Sequence, residues 1–167
     1  MATFRVAPGR SQVWIEARSS VHPIHGEASG LEGQIEAEVN DGKLDLTGAP
    51  KIRIELPVDK LKSGKSLEDA EMMRRIDARK FPTIRGEVLE VREAPGGGYH
   101  MSGELTFHGV TRPVQGEVTM QASDSTIIFE GEQTFDIRDF GVQPPKILML
   151  KVHPDVKVRV RVVAEQA

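Results

Sequence analysis

The stretch SGELTF, residues 102–107, alternates polar and apolar residues with the period of a half-buried β-strand. Met101, just before it, joins Leu105 and Phe107 on the apolar face. Gly103 falls on that same face, where a side chain should fill the core. The Gly-Glu pair recurs at Gly26, Gly86, Gly116 and Gly131. A glycine inside a strand forgoes about 0.5–1 kcal/mol relative to alanine, so its repetition on inward faces demands a structural or functional return.

Outward from this stretch the alternation continues in both directions. Val13, Ile15 and Ala17 oppose Trp14, Glu16 and Arg18; Ile35, Ala37 and Val39 oppose Gln34, Glu36 and Glu38; Ile52, Ile54 and Leu56 oppose Lys51, Arg53 and Glu55. In the second half the inward sets are Ile84, Gly86 and Val88, then Val114, Gly116, Val118 and Met120, then Ile127, Phe129, Gly131, Gln133 and Phe135. VKVRVRV from Val156 is the clearest strand of all. Turn signals stand between the runs: NDG at 40–42, APGGG at 94–98 and HPD at 153–155. The pattern predicts roughly eight to ten strands, which suits a closed barrel or a sandwich.

One segment breaks the rhythm. SLEDAEMMRRIDARKFP, residues 66–82, places Leu67, Ala70, Met73 and Ile76 on one helical face. Ser66 with Asp69 three residues on has the form of a capping box, and Pro82 ends the segment. The spacing predicts one short amphipathic helix laid on the sheet or across a barrel end. Adjacent Met72 and Met73 lie about 100° apart on such a helix, so one can face the core while the other turns toward a ligand entrance.

Composition narrows the function. The chain has 167 residues, the length of one domain, taken as residues 1–167. No run reaches the roughly 20 apolar residues of a membrane helix. The 22 basic and 25 acidic residues are interspersed, giving a net charge of −3 and no basic stripe for nucleic acid. Without cysteine there is no disulfide, thiolate nucleophile or cysteine metal site. MATFRVAPGRSQVWIEARS has neither the basic nor the apolar region of a signal peptide, so a cytoplasmic location is expected.

The inward glycines allow two readings. They let strands coil tightly at barrel corners, or they hollow the interior for a ligand or a large aromatic side chain. With only 6 Phe, 1 Trp and 1 Tyr to fill gaps, the second reading predicts an elongated cavity lined by aliphatic groups, with Gln133 as its one polar wall residue. Its expected ligand is a long apolar molecule. Burial of each methylene contributes about 0.8 kcal/mol.

Taken together, the segments TGAPKIRIELPVDKLKSGKSLEDAEMMRRIDARKFPTIRGEV (47–88), GELTFHGVTRPVQGEV (103–118) and FDIRDFGV (135–142) resemble the YceI-like, polyisoprenoid-binding family in order and spacing. The resemblance covers nearly the whole chain. It implies a mostly β fold: an extended antiparallel lipocalin-like β-barrel of about eight strands with one short helix near one end. It also implies a tunnel that binds isoprenoid quinones, polyprenyl lipids or fatty-acyl derivatives without chemistry and without a cofactor. The expected ligand-binding residues are Val13, Ile15, Ile54, Ile84, Gly86, Gly103, Leu105, Phe107, Gly116, Phe129, Gly131, Gln133 and Phe135 on the walls, with Met72, Met73 and Phe81 at the helix end.

Other motifs carry less. His22 and His25 would point to opposite faces of a regular strand, so only a turn would let them share a metal; a loop with two partly exposed histidines and no metal site is expected. His100 and His108 fall on the predicted outer face, and His153 in a turn. Asp139-Phe140-Gly141 lacks every companion signature of a kinase, and is read as a turn whose Phe140 plugs a barrel end. No serine-nucleophile signature occurs, and LEDAE (67–71) reads as a solvated helix start. A non-enzymatic carrier with at most transient membrane contact is therefore expected. The competing expectation is a compact structural or partner-binding barrel, with a homodimer as its simplest form.

Overall fold

The computed structural model describes residues 1–144, 146, 147 and 150–167, the side chains of Lys146, Ile147 and Leu150 apart. The alternating runs become twelve strands of one antiparallel sheet. They are β1 (Ala2–Val6), β2 (Gln12–Ser19), β3 (Pro23–Ala28), β4 (Glu32–Asn40), β5 (Lys43–Asp45), β6 (Lys51–Pro57), β7 (Thr83–Glu93), β8 (Tyr99–Phe107), β9 (Val110–Ala122), β10 (Thr126–Asp136), β11 (Lys146–Ile147) and β12 (Leu150–Gln166). The wall runs β1-β4-β6-β7-β8-β9-β10-β12 and closes where Phe4 of β1 lies opposite Gln166 of β12.

Closure between β1 and β12 pairs the two edges that an open sheet would expose there. β2 and β3 form the first hairpin, which continues the wall past β1 and β4: Val13 pairs with Val160 of β12, and Ile15 pairs with Gly26 of β3. β1 with β2, and β3 with β4, thus make two interrupted staves of an eight-stave barrel. Turn chemistry fixes the hairpins. Asp41 and Gly42 between β4 and β5, and His108 and Gly109 between β8 and β9, all have positive φ, which suits tight hairpin turns.

Three expectations need correction. The segment around His22 and His25 is a turn followed by strand β3, with His25 exposed on that strand. His108 sits at the tip of the β8–β9 hairpin, and its Nδ1 donates to the Phe140 carbonyl at 3.0 Å. His153-Pro154-Asp155 lies inside β12, because a register shift between Val152 and Val156 absorbs the proline where it would break a regular ladder.

The interior divides along the barrel. Phe4, Ile35, Ile52, Ile127, Val162 and Ala164 fill one half as a continuous core, all with 2% exposure or less. Tyr99 reaches across this half, and its hydroxyl accepts a hydrogen bond from the Leu44 N–H at 3.2 Å. Below Phe129 and Met101 the same strands continue, and their inward side chains line a cavity.

Candidate functional site

The lower half encloses a cavity of about 440 Å³, within the roughly 300–1,000 Å³ usual for small-molecule sites. Its walls come from inward positions of nearly every stave: Val13, Ile15 and Ala17 on β2, Ile54 on β6, Ile84 and Val88 on β7, Leu105 and Phe107 on β8, Val114 and Val118 on β9, and Val156, Val158 and Val160 on β12. From Phe129 to Phe135 the lining covers six strand steps, about 20 Å along the strand. Gln133 is the polar residue among the inward positions of β10 that border the cavity.

The glycines do not act alike. A Cβ on Gly103 would fall 2.0 Å from the Glu87 carbonyl oxygen and 2.9 Å from Val88 Cα. Gly103 thus lets β8 press against β7 next to the bulge between Val88 and Glu90. A Cβ on Gly26 would meet the Lys62 carbonyl at 3.3 Å, where Glu27 and Lys62 exchange backbone hydrogen bonds. The space over Gly86 is taken by Ile54, and that over Gly131 by Val118, at 3.2 and 2.9 Å. Gly116 differs: its Cβ would meet only Gln133 Oε1 at 3.7 Å. Close strand approach and aliphatic filling account for four glycines that border the cavity, and only Gly116 of the five has open space where a Cβ would stand, so the expected row of holes is corrected.

Helix α1 (Ser66–Arg75) lies across the hollow end. Its N-cap is Lys65 with no side-chain cap bond; Asp69 instead accepts from the Ser63 N–H at 2.8 Å, so the expected Ser66 capping box is not formed. The covered face is Glu68, Met72 and Ile76, spaced by four residues as one helical face requires. Leu67 is 64% exposed and Ala70 is also exposed. Carboxylates at Glu68 and Asp69 suit the first turn of the helix dipole. Glu71 binds Arg74 and then Arg75, and these guanidinium bonds hold its carboxyl below the usual carboxylate value.

Met72 lines the cavity, whereas Met73 packs among Val58, Ile76 and Val142 and lies outside the lining. Phe81 also lies outside it. Its ring covers Gly109 and meets His108 edge-on at 5.1 Å, so it braces the hairpin tip. Phe140 is buried against Phe107 and Phe135, with centroids 5.8 and 6.5 Å away, and Gly141 turns the chain at φ 74°. The other wall residues singled out from the sequence all border the cavity.

The sequence reading did not select the β12 valines as site residues, although VKVRVRV put them inward. It also missed the polar fringe of His25, Glu27, Lys62, Ser63, Glu68 and Arg75, which comes together only through the β3–Lys62 bridge and the helix. Among the described residues no three His, Asp or Glu side chains gather as a metal site. The described helices include none long and apolar enough to cross a membrane.

A closed antiparallel barrel, packed at one end, apolar and hollow at the other and covered there by one helix, defines a lipocalin-like barrel. The chain belongs to the YceI-like family, whose domain model matches residues 4–164. Among solved structures it is similar to BcnA of Burkholderia cenocepacia, at 18% identity over 95% of this chain and 98% of that one, with a TM-score of 0.79. A polyisoprenoid binding domain from Saccharophagus degradans superposes with a TM-score of 0.76 at 11% identity, over all of both chains. The YCEI protein of Campylobacter jejuni gives 0.69 at 14% identity, over 86% of this chain and 85% of that one. Comparison with curated proteins finds no significant match.

Proposed function

We propose that this protein binds and carries a long apolar molecule, an isoprenoid, quinone or fatty-acyl lipid, in the hollow half of its barrel, without catalysis. The observation that carries the reading is the contrast between the two halves: one closely packed, the other walled by valines, isoleucines and phenylalanines around about 440 Å³. Apolar wall without apolar filling forgoes dispersion contacts as well as burial, and a hydrocarbon chain restores both. Membership of the YceI-like family and the fold shared with a polyisoprenoid binding domain support the same ligand class.

The competing reading, a structural barrel whose glycines serve curvature alone, accounts for Gly103 and Gly26 but leaves the cavity over Gly116 without a purpose. The test is native mass spectrometry of gently purified protein, then organic extraction and identification of what is released, with delipidated and unrelated-protein controls. A stoichiometric apolar molecule is expected. Repeated apo masses, with no binding on lipid titration, would overturn the reading.

A further inference from the structure

The barrel wall is not continuous between β9 and β10. The two strands pair from Ala122 opposite Ile127 to Val118 opposite Gly131, and there the ladder stops. Beyond that rung β9 stays bonded to β8 as far as Val110, and β10 to β12 as far as Asp136. Among the described residues no ladder pair joins 110–117 to 132–136. At the base β9 and its hairpin tip meet the turn that follows β10, where Arg112 Nε donates to the Asp139 carbonyl at 2.9 Å and His108 Nδ1 to the Phe140 carbonyl at 3.0 Å. From Val118 to Arg112 is six residues, so the slit is about 20 Å long.

Two residues mark its middle. Gly116 and Gln133 would face each other if the register of Val118 and Gly131 continued, since 116 + 133 equals 118 + 131. Gly116 supplies no side chain, and the Gln133 amide reaches across to it, with Oε1 3.7 Å from where a Cβ would stand. Gln133 borders the cavity and is nevertheless exposed: at this level interior and solvent meet through the side of the barrel.

The geometry points to a lateral portal between β9 and β10, through which the apolar ligand enters and at which its polar end remains, bonded to Gln133 and to the open strand edges. This rests on the reading of the cavity as an apolar ligand's site. The end group is a neutral one, a carbonyl, hydroxyl or ester. The inward positions around the slit are Val114, Gly116, Val118, Gly131, Gln133 and Phe135, which hold an amide able both to donate and to accept but no cation. A carboxylate or phosphate there would find no cation among these six positions, Arg112 at the base being turned to the Asp139 carbonyl, and so would gain no charge-assisted bond.

The chain has no cysteine, so a Gly116→Cys/Gln133→Cys variant can carry one disulfide across the slit. Thr119→Cys/Glu130→Cys, on a rung already paired, is the control. The probes are cis-parinaric acid and its methyl ester, followed by stopped-flow fluorescence. Oxidation of the slit pair is expected to slow ester association about tenfold or more against a typical docking rate, and reduction to restore it, while the control pair changes neither. If the slit disulfide does not form, Gln133→Trp fills the same opening and is expected to slow entry likewise. The ester is expected to bind about tenfold more tightly than the acid at neutral pH, the scale of one unmet polar group.

Ester association within about twofold of the unmodified protein in the closed variant overturns the portal. Equal or tighter binding of the acid overturns the neutral end group. Failure of both probes to bind the unmodified protein overturns the apolar-ligand reading itself, a result distinct from binding at unaltered rates.

Discussion

Gly103 and Gly116 carry the same Gly-Glu sequence on adjacent strands, yet the same substitution at each is expected to act with opposite sign. The Gly103→Ala methyl would fall 2.0 Å from the Glu87 carbonyl oxygen, with two more backbone atoms at 2.9 Å. An ordinary carbon–oxygen contact is about 3.3–3.6 Å, so β7 and β8 must separate by more than an ångström at a bulge already closely fitted. Overpacking costs about 1–3 kcal/mol, occasionally more, and backbone is less able to yield than a side-chain tip. A loss of about 3 kcal/mol lowers Tm by roughly 6–12 °C in a chain of this size. The Gly116→Ala methyl meets only the Gln133 amide oxygen at 3.7 Å. Its expected effect is a gain of about 0.4–1 kcal/mol through the unfolded chain. Thermal melts followed by far-ultraviolet circular dichroism, together with urea titrations, measure both. Gly103→Ala within about 0.5 kcal/mol of the parent, or an equal loss at Gly116, would refute the assignment of Gly103 to strand approach and Gly116 to the cavity.

Other substitutions test the remaining packing. Tyr99→Phe strands the buried Leu44 N–H and is expected to lose about 1–3 kcal/mol in a urea titration. On the helix, Ile76→Ala is expected to cost about 2–5 kcal/mol and Leu67→Ala less than about 0.5 kcal/mol, following their 5% and 64% exposure; equal losses would return the covered face to the one expected from sequence. Asp136 accepts from the Arg138 side chain and N–H, which holds its carboxyl below the ordinary 3.8. Its folded pKa is depressed, so its contribution is fully present above that ordinary value and is lost as pH falls through the folded one. Asp136→Asn is therefore expected to lower Tm at neutral pH, the difference shrinking as melts are repeated into the acid range below 3.8.

The strands were legible because one face is buried and the other wet, so period-two alternation follows from burial alone. It gave the inward residues of β2, β4, β6, β8, β9 and β10. It did not show that β1 and β3 are strands, because Ala2–Val6 is short and Pro23–Ala28 carries proline, histidine and glycine. What each glycine does was not legible at all. A carbonyl, an isoleucine, a valine or empty space lies opposite, and register decides which. The helix was legible in its start but not in its end or orientation: it stops at Arg75, well before Pro82, and a charged residue such as Glu68 can turn toward a cavity mouth that no apolar pattern announces.

The long strand β12 bonds β10 from Asp155 to Glu165, and on its other side bonds first β2 and then β1. It follows every one of these partners in sequence, and Phe4 waits for Gln166 across 162 positions, 166 − 4. Loop-closure entropy makes such distant pairings the slow ones. The first hairpin therefore leaves the ribosome early and is joined to its neighbours last. Until β12 emerges, β10 on one side and β1 with β2 on the other present unpaired edges to the surrounding cell. Protection of the nascent chain from its own copies is needed at that stage, and it ends when a single strand seals both edges at once.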